Sequence, residues 1–230
     1  MENKITLYHG SQDIIEKPFF GGGRKNNDFG LGFYCTENKD LAKEWAVSSL
    51  RDGFCNKYAL NTEHLNILNL NTAEYSILNW IAVLVNHRLF TSNTPIERRA
   101  KKYLIDNFYI NVNAYDVIIG YRADDSYFDY AQSFVQNAIS LDQLSKAMYL
   151  GKLGEQIVIK SEFAFSNLKY EGNEIAKSEE YFTLRNNRNK EANQYYLKML
   201  EEDSDGLFIQ DIIRGGITND DPCIPRNICK

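Results

Sequence analysis

Histidine, cysteine and long apolar runs are all scarce in this chain. The three histidines, at positions 9, 64 and 87, form no HExxH pair and no cluster, which excludes the commonest zinc-hydrolase pattern. The four cysteines, Cys35, Cys55, Cys223 and Cys229, show neither CxxC pairing nor a ligand spacing with histidine. Reduced thiols in the cytosol are expected, and no metal. The strongest apolar run, Trp80 to Val85, is far shorter than the roughly 20 residues of a membrane helix. Met1-Glu2-Asn3-Lys4 leads straight into a strand-like Ile5-Thr6-Leu7-Tyr8, without the apolar region of a signal peptide. A cytoplasmic protein with no membrane partner is the expectation.

Positive charge is also in deficit: 26 Lys and Arg stand against 31 Asp and Glu, a net charge of −5. That balance argues against a broad phosphate-binding surface. The one dense basic cluster, Arg98, Arg99, Lys101 and Lys102, falls in a helical pattern and reads as a solvated face. Gly21-Gly22-Gly23-Arg24-Lys25 is not a GxxxxGK[ST] phosphate loop. Gly30-x-Gly32 lacks the third glycine of the dinucleotide fingerprint and opens a strand, not a helix. No GxSxG elbow and no internal repeat is present.

Aromatic residues are plentiful, with 15 Tyr and 13 Phe. The 230 residues suit a single domain. Strands are expected at Ile5–Tyr8, Gly32–Thr36, Phe54–Leu60, Leu65–Leu70, Tyr115–Gly120, Gln156–Lys160 and from Leu168, with a long surface loop over 11–30. Leu41, Ala42, Trp45, Ala46 and Leu50 recur at helical spacing, predicting a helix capped by Thr36 and reaching about residue 51. Further helices are expected over 72–88, over 94–108 with Pro95 at its first position, from Asp124-Asp125-Ser126 through Phe134, after a Ser140/Gln143 capping box, and over 179–202. The remainder reads as Leu207-Phe208-Ile209 and a disordered tail. Without regular βαβ alternation the class is α+β.

Three segments concentrate chemistry. Tyr8-His9-Gly10-Ser11 puts a polar ring beside a glycine. Asp28-Phe29-Gly30-Leu31-Gly32-Phe33-Tyr34-Cys35-Thr36 is followed by Trp45, a second flat ring eleven residues after Tyr34. Gly154-Glu155-Gln156-Ile157-Val158-Ile159 can bring a carboxylate to the same place. Together they describe a slot for a planar heterocycle. Strand alternation sends Glu155 and Gln156 to opposite faces, so only one can serve, and the acid is favoured. Gly120-Tyr121-Arg122-Ala123-Asp124-Asp125-Ser126-Tyr127, just after a strand, is either a loop bordering the slot or a capped strand-to-helix turn.

These motifs resemble the His-Tyr-Glu signature of the diphtheria-toxin-like and poly-ADP-ribose-polymerase-like ADP-ribosyltransferases. The resemblance rests on His9-Gly10-Ser11, on Gly32-Phe33-Tyr34-Cys35-Thr36 with Trp45 in place of the family's second tyrosine, and on Glu155-Gln156-Ile157-Val158. From about Thr6 to Tyr170 the chain also resembles an uncharacterised bacterial family grouped with these transferases, whose members sit beside small genes of toxin–antitoxin type. The resemblance implies a split β-sheet core in a single domain over 1–230, with a helical insertion at about 72–108 and a C-terminal helical extension at about 174–230.

It also implies that NAD⁺ is the co-substrate and that ADP-ribose passes to a macromolecular acceptor, protein or nucleic acid, in a toxin or defence role with a small antitoxin partner. Glu155, Tyr34 and His9 would be catalytic. His9 would hydrogen-bond the adenosine-side ribose, the Gly10 backbone would hold the carboxamide, and Tyr34 and Trp45 would sandwich the nicotinamide. Ser11 and Arg24 would add a hydroxyl and a pyrophosphate contact, with Arg122, Tyr127 and Gln156 on the acceptor side. An NAD⁺ glycohydrolase and a non-catalytic NAD-binding module are the alternatives.

Overall fold

The computed structural model describes residues 3–90, 92–123, 125–150, 154–202 and 205–227. Its strands are β1 (Lys4–Ser11), β2 (Phe33–Cys35), β3 (Gly53–Asn61), β4 (Ile67–Asn69), β5 (Val117–Tyr121), β6 (Glu155–Ile159) and β7 (Leu168–Ala176). Its α-helices are α1 (Lys39–Ala46), α2 (Ile77–His87), α3 (Pro95–Phe108), α4 (Asp125–Val135), α5 (Leu141–Leu150), α6 (Glu162–Ser166), α7 (Ser178–Leu200) and α8 (Ile209–Gly215). The class is α+β.

These strands form two sheets. One is antiparallel in the order β1-β3-β7, and the other runs β2-β6-β5-β4 with only β4 and β5 parallel. A bridge between Tyr8 and Thr36 ties β1 to the end of β2. Alternation along β6 sorts its side chains between two cores. Ile157 and Ile159 join Leu7, Cys35, Tyr58, Leu60 and Val117 in one cluster, between the sheets. Val158 joins Ile118, Leu68 and the helices α2, α4, α5 and α8 in the larger core on the other face. Gln156 shares the parity of Val158, so the helical side of the sheet is where its side chain must go.

Local chemistry accounts for the helix starts. Thr94 and Glu97 cap α3 reciprocally, with Pro95 at the first position. Ser140 and Gln143 do the same for α5, the Gln143 amide N–H donating to Ser140 Oγ and the Ser140 N–H to Gln143 Oε1. At α1 the cap is Asn38 and not Thr36: Asn38 Oδ1 accepts from Leu41 N at 3.0 Å, whereas Thr36 Oγ1 accepts from Asn38 N. This helix stops at Ala46, because Ser48 and Arg51 pair across a turn that leads into β3.

The stretch 72–108 holds α2, whose residues Ile77 to Val85 are all buried at the centre of the larger core. One expectation about the C-terminal region needs revision. The tail expected to be disordered is ordered as far as residue 227: Ile209, Ile212, Ile213 and Ile224 are buried, and Asn227 donates to Leu70 and Tyr75 carbonyls. Its few isoleucines are too sparse to set a period, and their partners are far away in sequence. Asp124 and Cys229 lie outside the described residues. Among the described residues no helix is long and apolar enough to cross a membrane.

Candidate functional site

A cavity of about 230 Å³ opens where β1, the 27–34 segment, α1 and the start of β6 meet. It is lined by His9, Gly10, Asn27, Asp28, Tyr34, Trp45, Arg88, Arg122, Ala123 and Gln156. Sites that enclose a drug-sized ligand typically measure roughly 300–1,000 Å³. This one is smaller, so a larger ligand would run out through the open mouth.

His9 sits at the end of β1 facing Phe33, the ring centroids 4.3 Å apart. Its Nδ1 is 2.7 Å from the Tyr34 carbonyl oxygen. A carbonyl can only accept, so Nδ1 carries the proton and Nε2 is left as an acceptor. Burial holds the ring's pKa below its ordinary value, more than the bond to Tyr34 raises it, which favours this neutral form. Tyr34 is fixed equally firmly. Its hydroxyl accepts from Phe29 N at 3.0 Å and donates to the Gly30 carbonyl at 2.6 Å, and burial pushes its pKa far above the ordinary tyrosine value.

The 28–30 segment that receives Tyr34 is itself pinned. The Phe29 ring is fully buried against Gly120, where a Cβ would come within 2.7 Å of it, and Lys160 Nζ donates to the Phe29 carbonyl at 2.7 Å. Gly30 takes φ of +75° with the His87 ring against it, a place only glycine fills without strain. The last residues of the expected surface loop are thus the floor of the site.

Trp45 projects from the last turn of α1. Its indole Nε1 is buried with no hydrogen-bond partner among the described residues. The Arg122 guanidinium covers the ring at 4.5 Å from its centroid. Leaving a buried donor unsatisfied costs about 1–3 kcal/mol. Beside Trp45, the buried Glu44 carboxylate binds Arg188 at 2.6 Å, joining α7 to this side of the site.

Of the two adjacent candidates on β6, Gln156 faces the cavity and Glu155 does not. Gln156 is 3% exposed; its Nε2 donates to Asp28 Oδ2 at 2.7 Å and to the Tyr121 carbonyl at 3.1 Å. Glu155 is exposed at the strand's first position, where Oε1 accepts from Asn71 Nδ2 at 2.7 Å. The expectation that favoured Glu155 is corrected by the pairing of Tyr34 with Val158 and of Gly120 with Gln156, which turns the even-numbered residues of β6 toward the helices. The carboxylate in the cavity wall is Asp28, which accepts from Arg88 Nη1 and Ala123 N as well as from Gln156.

Other expected residues are elsewhere. Ser11 donates to the Asp13 carbonyl and accepts from Asn56 Nδ2, and Arg24 is exposed on the 12–32 loop; neither is in the wall. Tyr127 is buried in the larger core beside Tyr130, with ring centroids 5.2 Å apart, and so is no acceptor-side group. Gly10 does line the cavity, but its lack of a side chain serves α1: a Cβ would collide with the Ala42 carbonyl oxygen and lie 2.8 Å from Ala46 N. Among the described residues no group of three or more His, Cys, Asp or Glu is placed to hold a metal ion.

Sequence reasoning missed Asp28 and Arg88. Asp28 closes an Asn26-Asn27-Asp28 run that reads as a turn, and Arg88 follows an apolar helix where a basic residue is an ordinary C-terminal choice. Only their meeting, at 2.8 Å across 60 residues of chain, marks them.

Residues 5–170 match the model of the family described as "Protein of unknown function (DUF3990)". No curated protein and no solved structure matches the chain.

Proposed function

The chain belongs to this DUF3990 family, and from that premise we propose that it binds NAD⁺ in the cavity and acts as an ADP-ribosyltransferase. The observation that carries the reading is the convergence of His9, Gly10, Tyr34, Trp45 and Gln156 from three distant segments on one opening. Two sheets split at β1 and β2, with the site at their junction, support the ADP-ribosyltransferase-like core that the motifs resemble.

In this reading the nicotinamide occupies the slot between Tyr34 and Trp45, with Arg122 displaced from the indole face that the ligand takes. Each aromatic contact contributes about 0.5–1.5 kcal/mol beyond burial. His9 Nε2 and Gln156 Oε1 accept from ribose hydroxyls. The bond between nicotinamide nitrogen and ribose C1′ breaks with its electron pair going to nicotinamide. An oxocarbenium-like sugar then takes a nucleophile from the acceptor, which loses its proton. Arg122, at the mouth, meets either the phosphates or the acceptor.

Incubation with NAD⁺ labelled in the adenylate, with cell lysate, tests the reading. Label that becomes macromolecular and is released by protease or by nuclease supports transfer and names the acceptor class; free ADP-ribose alone indicates hydrolysis. No thermal protection by NAD⁺ and no nicotinamide release would sink it. A toxin role predicts growth arrest on expression, relieved by variants that abolish nicotinamide release.

One observation favours a second reading, a binding module. The residue on β6 that faces the cavity is an amide and not an acid. NAD⁺ protection without nicotinamide release from the unaltered chain would select it.

A further inference from the structure

Asp28, Arg88, Ala123 and Gln156 come from four separate parts of the chain and meet around one carboxylate. Asp28 Oδ1 accepts from Arg88 Nη1 at 2.8 Å, and Oδ2 accepts from Ala123 N at 2.9 Å and Gln156 Nε2 at 2.7 Å. Arg88 Nη1 also donates to the Ala123 carbonyl at 2.8 Å. Asp28 and Gln156 are 6% and 3% exposed, and both line the cavity.

The partners fix the orientation of the Gln156 amide. Asp28 Oδ2 and the Tyr121 carbonyl can only accept, so the NH₂ group must face them both. Turned over, the amide would set three oxygens together with no proton between them. Both donors being used, the group left for a ligand is the carbonyl oxygen. That oxygen is polarised by a carboxylate directly behind the amide, and such chains strengthen each member in a low-dielectric setting.

Resting on the NAD⁺ reading, we infer that Asp28 is a positioning residue: it turns the Gln156 carbonyl toward the ribose and transmits negative charge to it through the amide. The pair then does what a single glutamate would do, with the charge set one side chain back. The site selects a sugar whose hydroxyl can donate to that oxygen. It also explains why an acid directly at position 156 would be unwelcome, since two carboxylates would share the space that one now fills.

An exchange of the two groups provides the test. Asp28→Asn, Gln156→Met, Gln156→Glu and the double variant combining Asp28→Asn with Gln156→Glu are compared with the unaltered protein. The readouts are thermal protection by NAD⁺, kcat and KM for nicotinamide release, and the Gln156 side-chain amide signals in nitrogen-15 NMR. Expected are slowly exchanging amide protons that are lost in Asp28→Asn, and a kcat at least about tenfold lower in both Asp28→Asn and Gln156→Glu. In the double variant the amide introduced at position 28 can donate to the carboxylate introduced at position 156, and kcat recovers relative to Gln156→Glu.

Should the Asp28 variants not fold, Gln156→Met leaves the Asp28–Arg88 pair intact and must still lower kcat. A folded Asp28→Asn with kcat and KM within twofold of the unaltered protein overturns the inference and leaves the NAD⁺ reading standing. So does a Gln156→Glu that equals or exceeds the double variant. If the unaltered protein neither gains stability from NAD⁺ nor releases nicotinamide, the NAD⁺ reading itself fails and takes the inference with it.

Discussion

The guanidinium of Arg122 lies over the indole of Trp45, 4.5 Å from the ring centroid, at the wall of the cavity. The second tryptophan, Trp80, is 1% exposed in the larger core, with its Nε1 donating to the Tyr121 carbonyl. A ligand entering the slot must therefore change the emission of Trp45 far more than that of Trp80. NAD⁺ is expected to quench tryptophan fluorescence in the unaltered protein, and Trp45→Phe is expected to abolish the change. A full response from the Trp45→Phe protein would place the ligand elsewhere.

Glu155 and Gln156, neighbours in sequence, should behave oppositely. Glu155→Ala removes an exposed bond to Asn71 and leaves the cavity wall unchanged. Nicotinamide release should stay within about twofold, since exposed substitutions of this kind carry small effects. Gln156→Ala removes a preorganised acceptor, and a loss of about 10²-fold in kcat is expected. Steady-state assays of the two variants side by side check this, and a Glu155→Ala loss as large as that of Gln156→Ala would reinstate the acid.

His9 gives the site a pH dependence of known sign. Its folded pKa lies below the ordinary 6.5, chiefly through burial. Above that ordinary value both folded and unfolded chains hold a neutral ring. As pH falls below it the unfolded chain takes up a proton that the folded one refuses, so stability falls until the folded pKa is reached. His9→Gln, which keeps a polar side chain without titrating in this range, should lessen the fall that sets in below pH 6.5, leaving the part of the same sign that the half-buried His87 contributes. Denaturant melts of both proteins across that range measure it; parallel curves would exclude His9 as the source.

Gly10→Ala tests whether the glycine serves the fold or the ligand. The new methyl group meets the backbone of α1 at Ala42 and Ala46, which cannot rotate away as a side chain could. Overpacking of this sort costs about 1–3 kcal/mol or more. A clear drop in Tm is expected even without NAD⁺. Unchanged Tm with weakened NAD⁺ binding would instead show that the ligand needs the space.

Much of the scaffold was legible because its signals are local. The Ser140/Gln143 and Thr94/Glu97 capping pairs, Pro95 at a helix start and the short apolar strands lie within a few residues of the structure they specify. The C-terminal isoleucines were not legible, because α8 packs on α3, an element far away in the sequence. Arg24 and Ser11 looked plausible as ligand contacts because a side chain's type says nothing of its direction.

What the sequence alone determined is which segments to bring together: His9-Gly10, Tyr34 with Trp45, and the Glu155-Gln156 pair stand out by their chemistry, and all three segments meet at the cavity. What the tertiary structure decided is which member of that pair looks inward, and what stands behind it. A strand's alternation divides its residues into two sets but not into inside and outside. That assignment comes from the neighbours, Tyr34 opposite Val158 and Gly120 opposite Gln156. Asp28 reaches Gln156 only because a loop and a strand separated by more than a hundred residues fold against one another.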